Sequence, residues 1–508
     1  MELEFKQETI SDYEILADMT VCQEETLESI VPDACPDILR IIDVCGQAMV
    51  TGKQAHEGLA SVSGVVKAVI LYQPEGGSGL RKMDVSLPFH CQGECAGLNE
   101  QGTVHSFARL RFAEARALNP RKVLLRVDLV VDITAFCHRQ QHINCSIAEH
   151  CVEGICQQNE TQEHCCVVSV QEKPFTFYEQ IWLQGNQNTT PIILAARTSA
   201  QCTENKLIGS KLIFKGTAEL FLLLMEQDGT VTSERHTLPF SQIAEVHNPA
   251  EDWTSHIRVE VTEFRCRVAE GDPHSLETEM ELLASVLTYA RYNVALLSDL
   301  YSTTHMMETE SGNQTLLRLK ESGVFSQGVR ELMETATLVR SVVDSRLTLG
   351  KVKYRSEGQD QLLTTDVCLT VLYLDENDTL QCAKRALDVT CRVTGAANHI
   401  CRCVCSAPGE VFATPAAGGI EIRFNVDFLC RSEEELHCET VTAAKVGQPR
   451  CNERENRPSV VLRLAMPGEG LWELAKAYGT TTQLIMQANG LESEGLPGCR
   501  MLLIPSCR

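Results

Sequence analysis

The feature that most constrains the fold of this chain is a long internal repeat of hairpin patterns. Each copy has an apolar run, a turn rich in Gly, Asp or Asn, and a second apolar run, which together predict a β-hairpin. The three copies occupy residues 63–89, 215–240 and 364–391. Leu87-Pro88-Phe89 and Leu238-Pro239-Phe240 lie about 150 residues apart, a period that fits one domain per copy rather than a solenoid.

Each copy also ends in a strand pattern, at residues 123–133, 279–289 and 420–428. In the third of these, apolar residues stand at every even position. Alternation of this kind places one face on a core and the other in water, as in an antiparallel sheet or sandwich. We therefore predict a mainly β protein made of tandem antiparallel β-sandwich-like repeats. Their predicted bounds are 1–145, 172–301 and 322–431.

Two stretches favour helix instead. Residues 325–343 carry apolar side chains at helical spacing, and residues 27–44 contain a helical stretch interrupted by prolines. Pro36 at a first helical position, followed by Asp37 in the first turn, is typical of a helix start. That helix would bury one apolar face: Ile38, Ile41 and Ile42.

Charge and length exclude several classes of partner. The 508 residues carry a formal net charge of −23, which argues against nucleic acid and anionic membranes, because both recruit clustered Lys and Arg. Residues 1–10 are acidic where a signal peptide would be basic, and no stretch has the 18 or so apolar residues of a membrane span. The sequence therefore predicts a cytoplasmic protein without a membrane span.

The last fifty residues have a different pattern, strand–helix–helix–strand. An apolar run at 460–465 precedes a turn, and Gly479 and Asn489-Gly490 suit two helix ends. Residues 501–504 form a closing strand. This order, with the strings Leu471-Trp-Glu-Leu-Ala-Lys-Ala-Tyr-Gly479 and Ala488-Asn-Gly-Leu491, resembles a LysM domain, a small α/β module of βααβ order, over residues 459–508. The charged residues 432–458 before it predict a solvated linker.

The resemblance to LysM domains implies a ligand and a site. Most such modules bind N-acetylglucosamine polymers such as peptidoglycan or chitin-like glycans, and a minority bind proteins. The implied contacts come from the loops before the first helix and before the last strand: Gly468, Glu469, Gly470, Leu471, Asn489, Gly490, Leu491, Leu496 and Pro497. The family usually has Gly-Asp-Thr in the first loop, and this chain has Gly468-Glu469-Gly470, which lacks the Thr hydroxyl.

A second resemblance concerns the repeats. The string Val31-Pro-Asp-Ala-Cys-Pro-Asp-Ile-Leu-Arg-Ile-Ile42 is similar to the hallmark of the SPOCS domain of spore-forming bacteria. Tandem SPOCS domains with a C-terminal LysM module resemble the SipL-type spore coat-anchoring proteins. This resemblance implies a non-enzymatic scaffold of the mother cell that tethers the coat to the forespore surface. Its implied partners are the morphogenetic ATPase of the coat basement layer and other coat proteins. The alternative is a peptidoglycan-binding protein of the cortex or cell wall.

The 24 cysteines raise the question of metal or thiol chemistry. Residues 137–166 combine six cysteines with four histidines, and Cys401-Arg-Cys403-Val-Cys405 is a second cluster. Neither contains a Cys-x-x-Cys pair, so buried, inert thiols are favoured over a zinc site. Phosphate-loop, serine-hydrolase and zinc-protease motifs are absent from the sequence. We therefore predict no enzyme, no catalytic residues, no metal and no cofactor, with a wall hydrolase as the weakest alternative.

Overall fold

The computed structural model describes residues 1–77, 79–148, 153–184, 190–247, 249–250, 252–450, 458–466, 468–493 and 501–506. Strands dominate the chain as far as Pro449, and two short helices lie in the last fifty residues. The predicted mainly β fold with a small α/β module at the C-terminus is confirmed.

The first six strands form a two-layer sandwich. One layer is the antiparallel meander β2-β3-β4, and the other contains β1, β6 and β5 in that order. Fully buried residues of both layers, such as Ile70 from β3 and Leu129 from β6, share one apolar core. The strands are β1 (Phe5–Ile30), β2 (Ile38–His56), β3 (Leu59–Pro74), β4 (Arg81–Glu94), β5 (Thr103–Asn119) and β6 (Lys122–Ile147).

The same arrangement recurs twice along the chain. In each later copy a three-stranded meander, β8-β9-β10 or β14-β15-β16, faces a layer built on the first and last strands of the copy. The second copy contains β7 (Ile155–Trp182), β8 (Ile192–Ile208), β9 (Lys211–Met225), β10 (Val231–Glu245), β11 (Thr254–Ala269) and β12 (Asp272–Ser302). The third contains β13 (His305–Glu334), β14 (Val339–Glu357), β15 (Asp360–Asp375), β16 (Leu380–Val393), β17 (Ile400–Ser406), β18 (Phe412–Ala416) and β19 (Gly419–Pro449).

The three predicted hairpins are confirmed as β3–β4, β9–β10 and β15–β16. One cross-strand pair explains the Leu-Pro-Phe repeat. Gly64 lies opposite Phe89, and Gly216 lies opposite Phe240, so that the aromatic ring covers the glycine. A Cβ on either glycine would approach the ring to within 2.5 Å. In the third copy the corresponding pair is Thr365 and Val389. Two side chains of middle size there replace the phenylalanine and the glycine of the other copies.

Very long strands join the copies. The ribbons β1–β6, β7–β12 and β13–β19 extend beyond the sandwiches, and β1 pairs with β7 at Tyr13 and Val167 to make one six-stranded sheet. Ile10, Val294 and Leu316, one from each ribbon, are buried in a shared cluster. The ribbons therefore act as a common central core for the three sandwiches.

The three meanders also meet. Leu71, Leu223 and Leu372, at matching positions of β3, β9 and β15, lie in one buried cluster. Ion pairs surround it: Arg346 binds Asp43, whose side chain is 0% exposed, and Arg197 donates to both oxygens of Asp344 at 2.8 and 2.7 Å. Removing such charges from water is costly unless each is paired, so these contacts specify how the copies join.

Both helices predicted in the sandwich region are wrong. Residues 325–334 end β13 and residues 339–343 begin β14, with a turn at 335–338 between them, and pairing with β19 and β15 satisfies the backbone of these strands. Residues 27–44 contain the end of β1, a turn, and the start of β2, and Ile38 is buried as a strand residue. Arg121 holds the turn by donating to the carbonyls of Val31 and Cys35 at 3.0 and 2.8 Å. Tertiary pairing overrides the local helical spacing.

The predicted linker at 432–458 is wrong for residues 432–449, which continue β19 in register with β13. Small apolar residues alternate with the charged ones there, and Val441, Ala444 and Val446 are buried. The charges occupy the wet face of a ribbon. The described parts of the segments between the predicted repeats, residues 146–171 and 302–321, also lie mainly in strands, since β7 begins at Ile155 and β13 at His305. Residues 451–457 lie outside the described residues.

Candidate functional site

The C-terminal module has the predicted βααβ order. Strands β20 (Val460–Leu464) and β21 (Met501–Pro505) pair antiparallel, and helices α1 (Leu471–Tyr478) and α2 (Thr482–Asn489) lie between them in sequence. Gly479 and Gly490 end the helices with φ of 63° and 60°, a conformation that costs a glycine no Cβ clash. The Thr481 side chain accepts a hydrogen bond from the Leu484 N–H at 3.2 Å and caps α2.

The loop before α1 contains the first predicted ligand residues. Gly468 is exposed, whereas Leu471 is buried in the core of the module. The Glu469 carboxylate accepts from the backbone N–H of Met466 at 2.9 Å and from Arg463 at 2.7 Å. These two hydrogen bonds, the backbone one foremost, lower the pKa of Glu469. Its carboxylate thus braces the loop where the family usually has Asp and Thr.

Gly470 is the N-cap of α1, and it supplies no side-chain oxygen to the first turn. The sequence expectation that the missing Thr removes a cap therefore agrees with the geometry. Glu469 stabilises the loop instead, through its hydrogen bonds with Met466 and Arg463.

The loop after α2 contains the second set. Asn489 donates to the carbonyls of Ile485 and Leu503 at 2.7 and 2.6 Å and accepts from the Leu503 N–H at 2.8 Å, so its amide ties α2 to β21. Leu491 packs against the same buried cluster as Leu471, which brings the two loops onto one core. Gly490 is exposed. Leu496 and Pro497 lie outside the described residues, and the role of the whole set as ligand contacts stays a prediction.

The two-stranded sheet of the module presents an apolar face to water. Leu462 is 61% exposed and lies opposite Leu503, and Leu464 lies opposite the exposed Met501. Val460, two residues before Leu462, is exposed on the same side. The opposite side of the sheet, with Leu502 and Ile504, packs on the helices. We call the first side the apolar sheet face: Val460, Leu462, Leu464, Met501 and Leu503.

A contiguous exposed apolar surface is more informative than scattered exposed leucines, because soluble proteins seldom leave one without a function. The apolar sheet face was not singled out from the sequence. The signal was present: in Val460-Val-Leu-Arg-Leu464 and Met501-Leu-Leu-Ile504 both faces of each strand are largely apolar, although only one can face the helices of so small a module.

The module is docked on the β7–β12 ribbon, at the end of β12. The Asp299 carboxylate accepts from the Trp472 indole N–H at 2.7 Å and from the Lys476 ammonium at 2.7 Å. The Tyr301 hydroxyl donates to the Thr480 carbonyl at 2.8 Å, and its ring meets Trp472 edge-on with centroids 4.8 Å apart. Tyr301 belongs to the buried core of the module itself. No sequence pattern indicated these partners of Trp472.

One set of possible metal ligands among the described residues has its donor atoms within 4.8 Å of one another: Asp12, His164 and Cys166. The Leu317 N–H donates to His164 Nδ1 at 3.1 Å, so the neutral ring carries its proton on Nε2, which faces Asp12. A metal would need that Nε2 lone pair. Arg139 and Gln141 already donate to the Asp12 carboxylate, and burial raises the pKa of Cys166. This arrangement suits a buried polar contact between ribbons better than a metal.

The other side chains of the 137–166 stretch are spread along strands. His138 and His142 contact Ser11 and Thr9 across the β1–β6 ribbon at 2.8 and 3.0 Å. Burial raises the pKa of Cys165, and Arg431 donates to its sulfur at 2.9 Å. His150 and Cys151 lie outside the described residues. The second cysteine cluster lies on β17.

A cavity of about 640 Å³ lies where the three sandwiches meet. Arg197, Arg235 and Arg346 line it, and each is paired with a carboxylate. Its charges are therefore engaged in holding the sandwiches together. The cavity involves no residue of the C-terminal module.

The two helices of the described chain have eight residues each, and none is long and apolar enough to span a membrane. Comparison with known proteins gives one finding: residues 467–505 match the family model of the LysM domain. No curated protein matches the chain, and no solved structure matches it. The C-terminal segment is therefore a LysM domain, a class of binding module whose usual ligands are peptidoglycan and related glycans.

Proposed function

We propose that this protein is a non-enzymatic scaffold that binds a partner protein through its LysM domain. The apolar sheet face carries the proposal: five exposed apolar side chains on a paired two-stranded sheet, with Leu462 at 61% exposure. Binding would remove this surface from water, which stabilises a complex by roughly 25 cal/mol per Å² of apolar area. A partner with a complementary apolar surface is the occupant that fits this chemistry.

A protein fits this face better than a sugar does. Sugar recognition requires precisely placed polar groups beside apolar ones. In the described loops the polar side chains are engaged within the module, Glu469 with Met466 and Arg463, and Asn489 with Ile485 and Leu503. The hydrogen bonds that dock the module on Asp299 and Tyr301 come from Trp472 and Thr480, and the side chains of the apolar sheet face remain exposed.

The biological setting follows from the resemblance of the repeats. The SPOCS-like string and the C-terminal LysM domain support a role in endospore coat assembly, in the mother cell at the forespore surface. The partner would be the morphogenetic ATPase of the coat basement layer, with other coat proteins as further contacts. The three joined sandwiches would present the LysM domain from a rigid body rather than from a flexible tether.

The test replaces one leucine of the face by a charge. Leu462→Asp should weaken binding of the coat ATPase by about tenfold or more, because burying one leucine is worth about 1.5–3 kcal/mol. Leu338→Asp is the matched control, since Leu338 is 70% exposed at a distant turn and should leave binding unchanged. Binding is measured by calorimetry with full-length protein. Equal affinity of the native protein and Leu462→Asp would refute this use of the face.

A second candidate is favoured by the LysM match at residues 467–505 itself. In this reading the loops at Gly468 and Gly490, both exposed, bind a peptidoglycan or chitin-like glycan. Titration with chitin oligosaccharides, followed by chemical shifts of the loop residues, tests it. Shifts confined to these loops and unaffected by Leu462→Asp would establish glycan binding, whereas unchanged spectra at millimolar sugar would exclude it.

A further inference from the structure

Four cysteines form a row at the edge of the third sandwich. Cys401, Cys403 and Cys405 alternate along β17, so their side chains share the face that packs on the core of this sandwich. Cys430 lies on the neighbouring strand β19 directly opposite Cys403, and the two sulfurs are 3.1 Å apart. We call these four residues the thiol row. The sequence showed three of its members, and only strand pairing adds the fourth.

The geometry suits a disulfide better than a metal. Directly opposed residues of antiparallel strands have Cα atoms about 4.5–5.5 Å apart, within the range that a disulfide bridges. A tetrahedral thiolate site would instead need all four sulfurs around one point. Among the described residues, the set with mutually close ligand atoms is Asp12, His164 and Cys166, and the thiol row does not meet that condition.

The two sulfurs of the closest pair differ in access. The Cys430 thiol donates to the Cys403 sulfur at 3.1 Å, and Cys430 is buried, whereas Cys403 is partly exposed. Strand β17 is an edge strand of seven residues, and Cys403 is partly exposed there, so a small oxidant can reach the pair.

We propose that Cys403 and Cys430 are an oxidative modification site, at which a peroxide converts the two thiols into a disulfide that joins β17 to β19. The thiolate of one of the two cysteines, formed by loss of its proton to solvent, attacks one peroxide oxygen: an S–O bond forms, the O–O bond breaks, and hydroxide leaves and takes up that proton as water. The sulfur of the other cysteine then attacks the sulfenic sulfur, so that the S–S bond forms, the S–O bond breaks, and water leaves with the proton of the second thiol. In total the two thiols lose two electrons and two protons, and hydrogen peroxide becomes two water molecules.

The disulfide would attach the edge strand β17 covalently to β19 of the third sandwich. Strand β17 is otherwise held by its pairing with β19, by the Tyr354 hydroxyl that accepts from the Cys403 N–H at 3.1 Å, and by Arg402 on its opposite face. Arg402 also lies 3.6 Å from Asp18 of β1, so β17 links the third sandwich to the first ribbon. Oxidation would fix that link, and a thiol reductant would release it.

The test uses the native full-length protein and hydrogen peroxide. After brief oxidation, free thiols are alkylated and the protein is digested with trypsin, which cuts after Arg402, Arg423 and Arg431. The expected product is peptide 403–423 linked to peptide 424–431, with loss of alkylation at both sulfurs and recovery after reduction. Cleavage after Arg402 separates Cys401 from the linked pair.

Three variants within the row and one control assign the bond. Cys405→Ala and Cys401→Ala should retain the link, and Cys403→Ala should abolish it. The control, Cys202→Ala, removes an unrelated half-buried thiol and should retain the link. The native protein alone suffices if a variant fails to fold. A different dominant pairing within the row, or Cys403 and Cys430 both remaining free while exposed Cys22 is oxidised, would overturn the proposal. So would stoichiometric Zn²⁺ that protects all four thiols, since that outcome identifies a metal site.

Discussion

The three joined sandwiches, which we call the body, and the LysM domain differ in how they expose apolar side chains. Each sandwich encloses its own core, and exposed large apolar residues are spread over many strands, as with Ile30 on β1 and Tyr178 on β7. The LysM domain has a core of few residues that includes Tyr301 from the body, yet it exposes a continuous apolar sheet face. The core of the module is thus completed by a residue of the body, while one face of its sheet stays exposed to water.

The joints differ as well. Between the sandwiches, charged pairs such as Arg346 and Asp43 are buried. Removing one partner therefore leaves the other charge buried, with neither its partner nor water to stabilise it. Between body and module, Asp299 binds Lys476 at a half-exposed site, and the buried contacts include the ring and the hydroxyl of one residue of the body, Tyr301. We therefore expect the sandwiches to unfold together and the module to separate at lower cost.

The largest effect is expected at the joint between sandwiches. Arg346→Ala leaves the fully buried Asp43 carboxylate without its main partner and should lower the free energy of unfolding by about 3–5 kcal/mol. Urea denaturation followed by circular dichroism measures it. Arg340→Ala is the control, because Arg340 and its partner Asp378 are both 60% exposed and should be removable without measurable change. Equal midpoints for the two variants would show that the buried joint is not a stabilising feature.

Next comes the repeated glycine–phenylalanine pair. Gly216→Ala places a Cβ 2.4 Å from the Phe240 ring and 2.1 Å from the Gln201 carbonyl, and should cost about 1–3 kcal/mol or more of unfolding free energy. Phe240→Val should recover part of this loss in the double variant, as in the Thr365–Val389 pair, and a double-mutant cycle measures the coupling. Gly323→Ala, with no atom within 4 Å of its Cβ, is the control. If the losses of unfolding free energy in the two single variants simply add up in the double variant, the coupling between positions 216 and 240 is contradicted.

The joint between body and module is tested by Tyr301→Phe, which keeps the ring and removes the donor to the Thr480 carbonyl. A buried carbonyl left without a donor costs about 1–3 kcal/mol. We expect faster amide hydrogen exchange in α1 and α2 without change in the strands of the sandwiches. Glu473→Ala, an exposed change on α1, should leave exchange unaltered. Uniform acceleration across the whole chain would mean that body and module are one cooperative unit.

The smallest effect is a pH dependence at the joint of the first two sandwiches. Burial lowers the pKa of His105 from 6.5 to about 4 and raises the pKa of Glu260 from 4.5 to about 7. Lys53 and Glu172 pair with each other, and the charges of both act on His105 and on Glu260. Folding with a neutral His105 adds stability that is lost as pH falls from 6.5 through 4. Folding with a protonated Glu260 adds stability that is lost as pH rises from 4.5 through 7.

The two slopes oppose each other between pH 4.5 and 6.5, where the native protein should show little dependence from this pair. Glu260→Gln should reveal unfolding free energy that rises with pH, and His105→Gln should reveal the reverse, each by about 1.4 kcal/mol per pH unit. Urea denaturation at pH 4.5, 5.5 and 6.5 measures both slopes. Parallel curves for the native protein and the two variants would show that neither group titrates as its burial implies.

Local patterns predicted the elements that depend on neighbours in sequence. The three hairpins, the alternating end strands and the LysM elements were correct, because a turn residue or a helix end acts within a few positions. The helices at 27–44 and 325–343 and the linker at 432–449 were wrong. In those segments the backbone partners lie in distant strands, so local spacing carried no information about the pairing.

By itself, the sequence determined a tandem β architecture with a period near one domain and indicated a LysM domain over residues 459–508, of which residues 467–505 match the family model. Only the tertiary structure decided that long ribbons join the sandwiches, that Asp299 and Tyr301 hold the module, and that Cys430 completes the thiol row. The physical reason is the same in each case. These contacts form between residues far apart in the chain, and their energy comes from burial and pairing that only the assembled strands create.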